Sequence, residues 1–291
     1  MKRYLLSSLL LIFSISSASA ESVGKWRGPD NNPLPFSRDG EILEFLRTAR
    51  IVATKQLSTG INRPLKVKLE KDGIEANAIF RTVNTNRSYV RLDGKTYREF
   101  YDRHINECAA YELSRLLDID NVPPCVPRVI GRKEGTLQLW VENAITFEKG
   151  VKEGLAGMSN RRWARQRQMM RVFDSLIYNI DRNHGNMLLD SAEKLWFIDH
   201  TRSFLPSGEV AELEKIVWCE RSMWERMQNL DKKLLQEHLS QYLDYRQIIT
   251  VLKRRDKLVT YLQKLIDSRG EQAVLFNANS LFRSSEVVSG I

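Results

Sequence analysis

Apolar positions follow two rhythms along this chain, and the place where one gives way to the other divides it. In the first half they come as short runs, Val52–Leu57, Leu65–Leu69 and Ala76–Val83, separated by Ser58-Thr59-Gly60 and Lys71-Asp72-Gly73. Short runs bounded by turn formers predict strands, and Asp-Gly predicts a hairpin between the second and third. Ahead of them Ile42, Phe45, Leu46 and Ala49 recur at helical spacing, predicting a helix over Asp39–Ile51. A second helix is predicted over Tyr101–Leu117, where Ile105, Cys108, Ala109, Leu113, Leu116 and Leu117 share one side before Asn121-Val122-Pro123-Pro124 ends it. Val126–Ile130 and Thr136–Val141 read as two more strands around the polar turn Gly131–Gly135.

From Trp163 the period is helical. Met169, Val172, Phe173, Leu176, Ile177 and Ile180 form one stripe that delivers the chain to Asp181, and helical spacing returns in Ile216–Met227, Leu230–Leu243 and Ile248–Ile266. Between these helices, Met187–Leu189 and Leu195–Ile198 read as two short strands around Ser191–Lys194. The pattern predicts an α+β chain of two lobes: a β-rich one over residues 39–143 and a mainly helical one over 144–291, after an irregular Gly-, Pro- and Asn-rich lead-in at 21–38.

Composition changes the picture mainly at the start. With 291 residues, 42% hydrophobic and 28% charged, the chain is long enough for one large or two modest cores. Residues 1–20 carry Lys2 and Arg3, an apolar run over Tyr4–Phe13, and Ala18-Ser19-Ala20. That is the pattern of a secretory signal peptide cleaved after Ala20, and it predicts a secreted or extracytoplasmic protein: periplasmic if bacterial, luminal or extracellular if eukaryotic. No stretch approaches the ~20 apolar residues of a membrane span. Without the leader, 43 basic residues face 36 acidic ones, a moderate excess with its densest cluster at Arg161–Arg171. Such a run is more often the solvated face of a helix than a nucleic-acid contact, so nucleic acid is not an expected partner. Cys108, Cys125 and Cys219 are too few and too scattered for a zinc site, and Cys108 falls inside a helical pattern as a small core residue.

The chemistry concentrates in NIDRNHGNMLLDSAEKLWFIDHTRSF, Asn179–Phe204. Asn186 follows Asp181 by five residues and Asp199 follows Asn186 by thirteen, with the predicted hairpin between them. Phosphoryl transfer uses this set: an Asp to orient the acceptor hydroxyl, an Asn and a second Asp to hold the divalent metal on the nucleotide phosphates. Asp and Asn are also common at ordinary turns, so the spacing acquires weight from the strand and helix around it. The first lobe offers Gly60 as a turn over the phosphates, Arg81 as a strand cation and Glu107 as its helix partner. Alone, Gly60 also reads as a turn glycine and Glu107 as a solvent-facing acid. His184 and His200 read first as groups that shape their loops, and Arg182 and Arg202 as neutralisers of nearby carboxylates. The chain contains no P-loop, zincin, nucleophile-elbow or dinucleotide fingerprint.

LKVKLEKDGIEANAIFRTVN and DRHINECAAYELSRLLDIDNVPPCVPRVIGR, together with NIDRNHGN, FIDHTRSF and EKIVWCERSMWERM, resemble the secretory-pathway atypical kinases of the Golgi casein kinase and Four-jointed type. These belong to a wider clan with HipA-like and phosphatidylinositol-kinase-like proteins. The resemblance runs from Thr54 to Met227 and implies a bilobal protein-kinase-like fold that binds ATP with Mg²⁺ or Mn²⁺. It also implies transfer of the γ-phosphoryl group to a hydroxyl of a protein, peptide or glycan. By the same resemblance Asp181 is catalytic, Asn186 and Asp199 are metal ligands, and Gly60, Arg81, Glu107 and the backbone of Trp140–Glu142, Val141 and Glu142 included, hold the nucleotide. Two departures stand out. Arg81 occupies the place of the family's strand lysine, with Lys66 and Lys68 nearby as substitute ammonium groups, and the loop D-R-N-H-G-N is closer to the HipA-like and lipid-kinase-like branch. An arginine there is compatible with altered phosphate contacts or with an inactive, scaffold-like pseudokinase. A nucleotidyl transferase on the same fold is the third reading.

Overall fold

A computed structural model describes residues 26–57, 63–92, 94–154, 161–210 and 212–277. The predicted leader and Gly60 lie outside these residues. The chain opens with helix α1 (Asp39–Thr48), then strands β1 (Arg50–Gln56), β2 (Leu65–Lys71), β3 (Ile74–Arg81), β4 (Asn84–Leu92) and β5 (Lys95–Arg103), and helix α2 (Ile105–Leu116). Strands β6 (Cys125–Ile130) and β7 (Lys133–Leu139) complete a five-stranded antiparallel sheet of order β1-β2-β3-β7-β6. Period-two alternation sets its faces. Val67 and Leu69 of β2 lie opposite Ala78 and Ala76 of β3 and are fully buried with them, so Asn77, Ile79 and Arg81 look out from the other side. Helix α1 packs on β2, β6 and β7, and α2 on β6 and β7.

The second half begins with β8 (Ile145–Thr146), α3 (Phe147–Lys152), α4 (Arg161–Ile177), β9 (Met187–Leu189) and β10 (Leu195–Phe197); β10, β9 and β8 form a small sheet. It ends with β11 (Cys219–Glu220), α5 (Arg221–Gln228), α6 (Lys232–Leu239), α7 (Tyr245–Arg269), α8 (Glu271–Val274) and β12 (Leu275–Phe276). Helix α4 lies along α7, and Val172, Phe173, Leu176 and Ile177 share a buried core with Val251, Leu258 and Leu262. The architecture is the expected α+β one, sheet first and helices after. Among the described residues no helix is long and apolar enough to cross a membrane.

Three segments differ from the pattern. Asn84–Arg103 forms a long β4–β5 hairpin that hydrophobic periodicity does not reveal, because nearly all its side chains face solvent or sit at its edge. That pairing also captures Tyr101–Arg103, so the second helix starts at Ile105 rather than Tyr101. In Ile216–Met227 only Arg221 onward is helical: Cys219 and Glu220 pair in parallel with Leu275 and Phe276, and the Glu220 carboxylate caps α5 by accepting from the Met223 amide at 2.8 Å.

Gly135 sits where β7 crosses β3, and a Cβ there would fall within 2.6 Å of the Phe80 ring. Gly135→Ala therefore has to push β7 away from β3, at an expected cost of about 1–3 kcal/mol. Denaturant unfolding reads this directly, and an unchanged midpoint would mean that the two strands have slack.

Candidate active site

The last residues of the central strands meet the β8–β10 layer at a cleft of about 580 Å³. Leu57, Ile79, Leu139, Val141, Leu188 and Ile198 line its apolar part, and Arg81, Asp181, Asn186 and Asp199 its polar end. A mostly apolar slot with a few convergent polar groups is the usual form of a small-molecule site.

The hairpin explains the convergence. Residues Asp181 and Asn186 belong to the loop after α4, where the Asn186 side-chain Nδ2 donates to the Asp181 carbonyl at 2.9 Å. β9 and β10 then return the chain, and the Ile198 amide donates to the Asn186 carbonyl at 3.3 Å, which sets Asp199 beside that loop. Arg182 clasps both ends. Its Nη1 donates to the carbonyls of Asn186 and, at 2.8 Å, of Ile198, while Nε and Nη2 fork onto Asp174 of α4 at 2.8 and 3.0 Å. Asp199 itself has φ 60°, a left-handed conformation that Asp tolerates better than most side chains.

Burial pushes the Asp181 carboxyl up from its ordinary value; Arg202 pulls it down, and the nearby Asp199 and Asp102 add to the rise. Arg202 bridges Asp181 at 3.2 Å and Asp102 of β5 at 3.0 Å, tying the hairpin base to the loop. The Asn106 amide of α2 donates to the carbonyls of Thr201 and Ser203 at 2.8 and 2.9 Å, so the same loop is stapled to that helix. Asp102, Asn106 and Asp174 carry no sequence signal, since nothing local tells a long-range clamp from a surface residue.

Glu107 is fully buried. It takes the His200 amide and the His200 Nδ1–H, each at 3.1 Å, and lies 3.6 Å from Arg81 Nε. The His200 ring proton must sit on Nδ1, because a carboxylate can only accept. Burial alone would raise the Glu107 carboxyl; the Arg81 charge and the His200 hydrogen bonds outweigh it and hold the group at about 2. The Arg81 guanidinium, 8% exposed, is lowered by burial, but the Glu107 and Asp199 charges more than restore it. Arg81 does not fork onto Glu107 as its shape would allow. Its Nη1 donates instead to Gln138 Oε1 at 3.2 Å.

The substitute ammonium groups are engaged elsewhere: Lys68 pairs with Glu75 at 2.8 Å, and Lys66 lies 4.3 Å over the Trp140 ring. Val141 lines the cleft, whereas the Glu142 side chain accepts from Asn77 at 2.6 Å. His184 meets the edge of Phe147. In the basic run, Arg162 binds Glu193 at 2.7 Å, Arg165 lies over Phe276, and Arg171 donates to the Lys215 carbonyl, so these arginines serve the fold. All three cysteines are buried and unbridged.

The family model of the C-terminal region of the Fam20 Golgi casein kinase, Fam20C, matches residues 37–146. A hydra Fam20 structure with sugar superposes with a TM-score of 0.63 at 18% identity, covering 82% of this chain and 92% of that one. The Golgi casein kinase with Mn and ADP bound superposes with a TM-score of 0.61 at 18% identity, over 82% of this chain and 79% of that one. The fold is kinase-like, of the Fam20 type. No curated protein sequence matches the chain. In this Fam20-type frame the cleft lies between the sheet and the helical half; Arg81 lines it near Asp199, and Glu107 is buried behind Arg81 against His200.

Proposed function

We propose that the chain is an exported atypical kinase that transfers the γ-phosphoryl group of ATP to a hydroxyl of a protein, peptide or glycan. The observation that carries this reading is the meeting of Asp181, Asn186 and Asp199 at the polar end of one cleft that also contains Arg81. Among the described residues no three His, Cys, Asp or Glu side chains form a metal cage. Two oxygen donors, Asn186 Oδ1 and an Asp199 carboxylate oxygen, suit a hard ion that completes its shell with phosphates and water. A bound Mg²⁺ or Mn²⁺ would neutralise the phosphate charge as it shifts to the leaving oxygen. The Golgi casein kinase with Mn and ADP bound supports Mn²⁺ and an adenine nucleotide as the groups held here.

In this reading Asp181 accepts a hydrogen bond from the acceptor hydroxyl and orients it for in-line attack. Arg202 keeps a counter-charge 3.2 Å from that carboxylate. Arg81 faces the phosphates, set by Glu107. The apolar slot, with the Trp140–Val141 backbone at its edge, takes the base. Export rests on the leader pattern of residues 1–20 and on the secretory setting of the Golgi casein kinase.

One observation favours a second reading, a nucleotide-binding scaffold without transfer: the strand cation is an arginine held to two buried partners. Incubation of the purified chain with labelled ATP, Mn²⁺ and an extracytoplasmic extract separates the two. A kinase labels an acceptor, with a mass increase of phosphate and not of nucleotide, and Asp181→Ala loses the label. Nucleotide-dependent thermal stabilisation without label would leave the scaffold. Neither stabilisation nor label would end both readings.

A further inference from the structure

Gln138 is 1% exposed and lines the cleft beside Arg81, its amide lying between the Arg81 guanidinium and the buried Glu107 carboxylate. It stands opposite Ile79 in the β3–β7 ladder, two pairs along from Arg81 and Thr136, so its side chain emerges on the same sheet face as Arg81. Its Oε1 accepts from Arg81 Nη1 at 3.2 Å, and its Nε2 donates to Glu107 Oε2 at 3.4 Å and to the Pro123 carbonyl at 3.5 Å. Only one orientation of the amide satisfies both neighbours, because a guanidinium cannot accept a hydrogen bond and a carboxylate cannot donate one.

We infer that Gln138 is the positioning residue that makes an arginine workable at position 81, holding one arm of the guanidinium so that the rest of its fork faces the nucleotide phosphates. The inference rests on the kinase-like reading of the cleft and deepens it. A lysine presents a compact ammonium on a thin stem, and one carboxylate is enough to steer it. A guanidinium is a planar fork whose direction is set by at least two acceptors. Here the ion pair supplies only one, a 3.6 Å contact from Nε to Glu107. Gln138 supplies the second and ties Glu107 into the same unit. With an apolar side chain at 138 the guanidinium would turn toward Glu107, reaching for the second carboxylate oxygen and leaving the cleft.

The test compares binding of ADP with Mn²⁺ and of adenosine, by calorimetry, for the unaltered chain, Gln138→Met, Arg81→Met and the double variant. Gln138→Met is expected to weaken ADP about three- to tenfold, the worth of one ordinary hydrogen bond, and to leave adenosine unchanged. In the Arg81→Met background the same change has no further effect on ADP, because the residue acts through Arg81. Equal weakening of ADP and adenosine, full additivity in the double variant, or no effect at all would overturn the inference while nucleotide binding stands. A chain that binds neither ligand overturns the reading of the cleft, and the inference with it. Should Gln138→Met not fold, the shorter amide of Gln138→Asn takes its place in the same cycle with Arg81→Met: a selective loss of ADP affinity that vanishes without Arg81 is expected, and an equal loss in both backgrounds would refute the role.

Discussion

Asp199→Asn is expected to cut metal-dependent phosphoryl transfer by about 10³-fold while leaving the melting temperature of the metal-free chain within a degree or so. Asparagine is the informative replacement. Position 199 has φ 60°, where Asn is as comfortable as Asp and alanine would add backbone strain. The Thr201 hydroxyl, which donates to Asp199 at 3.3 Å, can still donate to the amide oxygen. What disappears is one of the two carboxylate charges at the polar end of the cleft, the one paired with the neutral Asn186 in the proposed metal site, while Asp181 is left for the acceptor hydroxyl. Apparent Mn²⁺ affinity in the presence of ADP should fall together with the rate. Full activity in this variant would place the metal elsewhere and undo the assignment of the loop.

Glu107→Ala should cost about 3–5 kcal/mol of stability, because it removes one member of a buried charge pair and leaves the other uncompensated. Arg81, 8% exposed, would lose its counter-charge, and the amide and Nδ1 of His200 would lose their acceptor. The pH dependence carries the signature. The Glu107 carboxyl is held at about 2 against an ordinary 4.5, so its contribution is complete above about pH 4.5 and is lost as pH falls toward 2. Urea unfolding near neutral pH should therefore separate the variant widely from the unaltered chain, and near pH ~3 the gap should narrow. A gap that stays constant with pH would mean that the loss comes from packing alone.

The loop Asp181–Asn186 and the strand ending at Ile198-Asp199 are legible in the sequence because they are local. The order of residues, a polar turn and two short apolar runs determine where the ends of a small hairpin fall. Glu107 illustrates the limit. Helical periodicity puts it on α2 next to Cys108, but not whether it faces water or Arg81, since one turn of helix has room for both choices. The β4–β5 hairpin was hidden for a related reason: its pairing partner is itself, its faces are mostly solvated, and it leaves no apolar alternation to read. Gln138, inside the strand Thr136–Val141, carries no local mark of its buried contacts with Arg81 and Glu107.

From its own order of residues the chain determined a sheet followed by helices, the turn between β2 and β3, the strand that ends at Arg81 and the spacing of Asp181, Asn186 and Asp199. All of these follow from backbone preferences and from periodicities that repeat within a few residues. Only the tertiary structure decided that Glu107 is buried, that His200 and Gln138 share its carboxylate, that Arg182 binds Asp174 and that Arg202 joins Asp102 to Asp181. A buried charge is stable only beside its partner, and here the partners lie as many as 100 positions apart, brought together by the packing of the two halves.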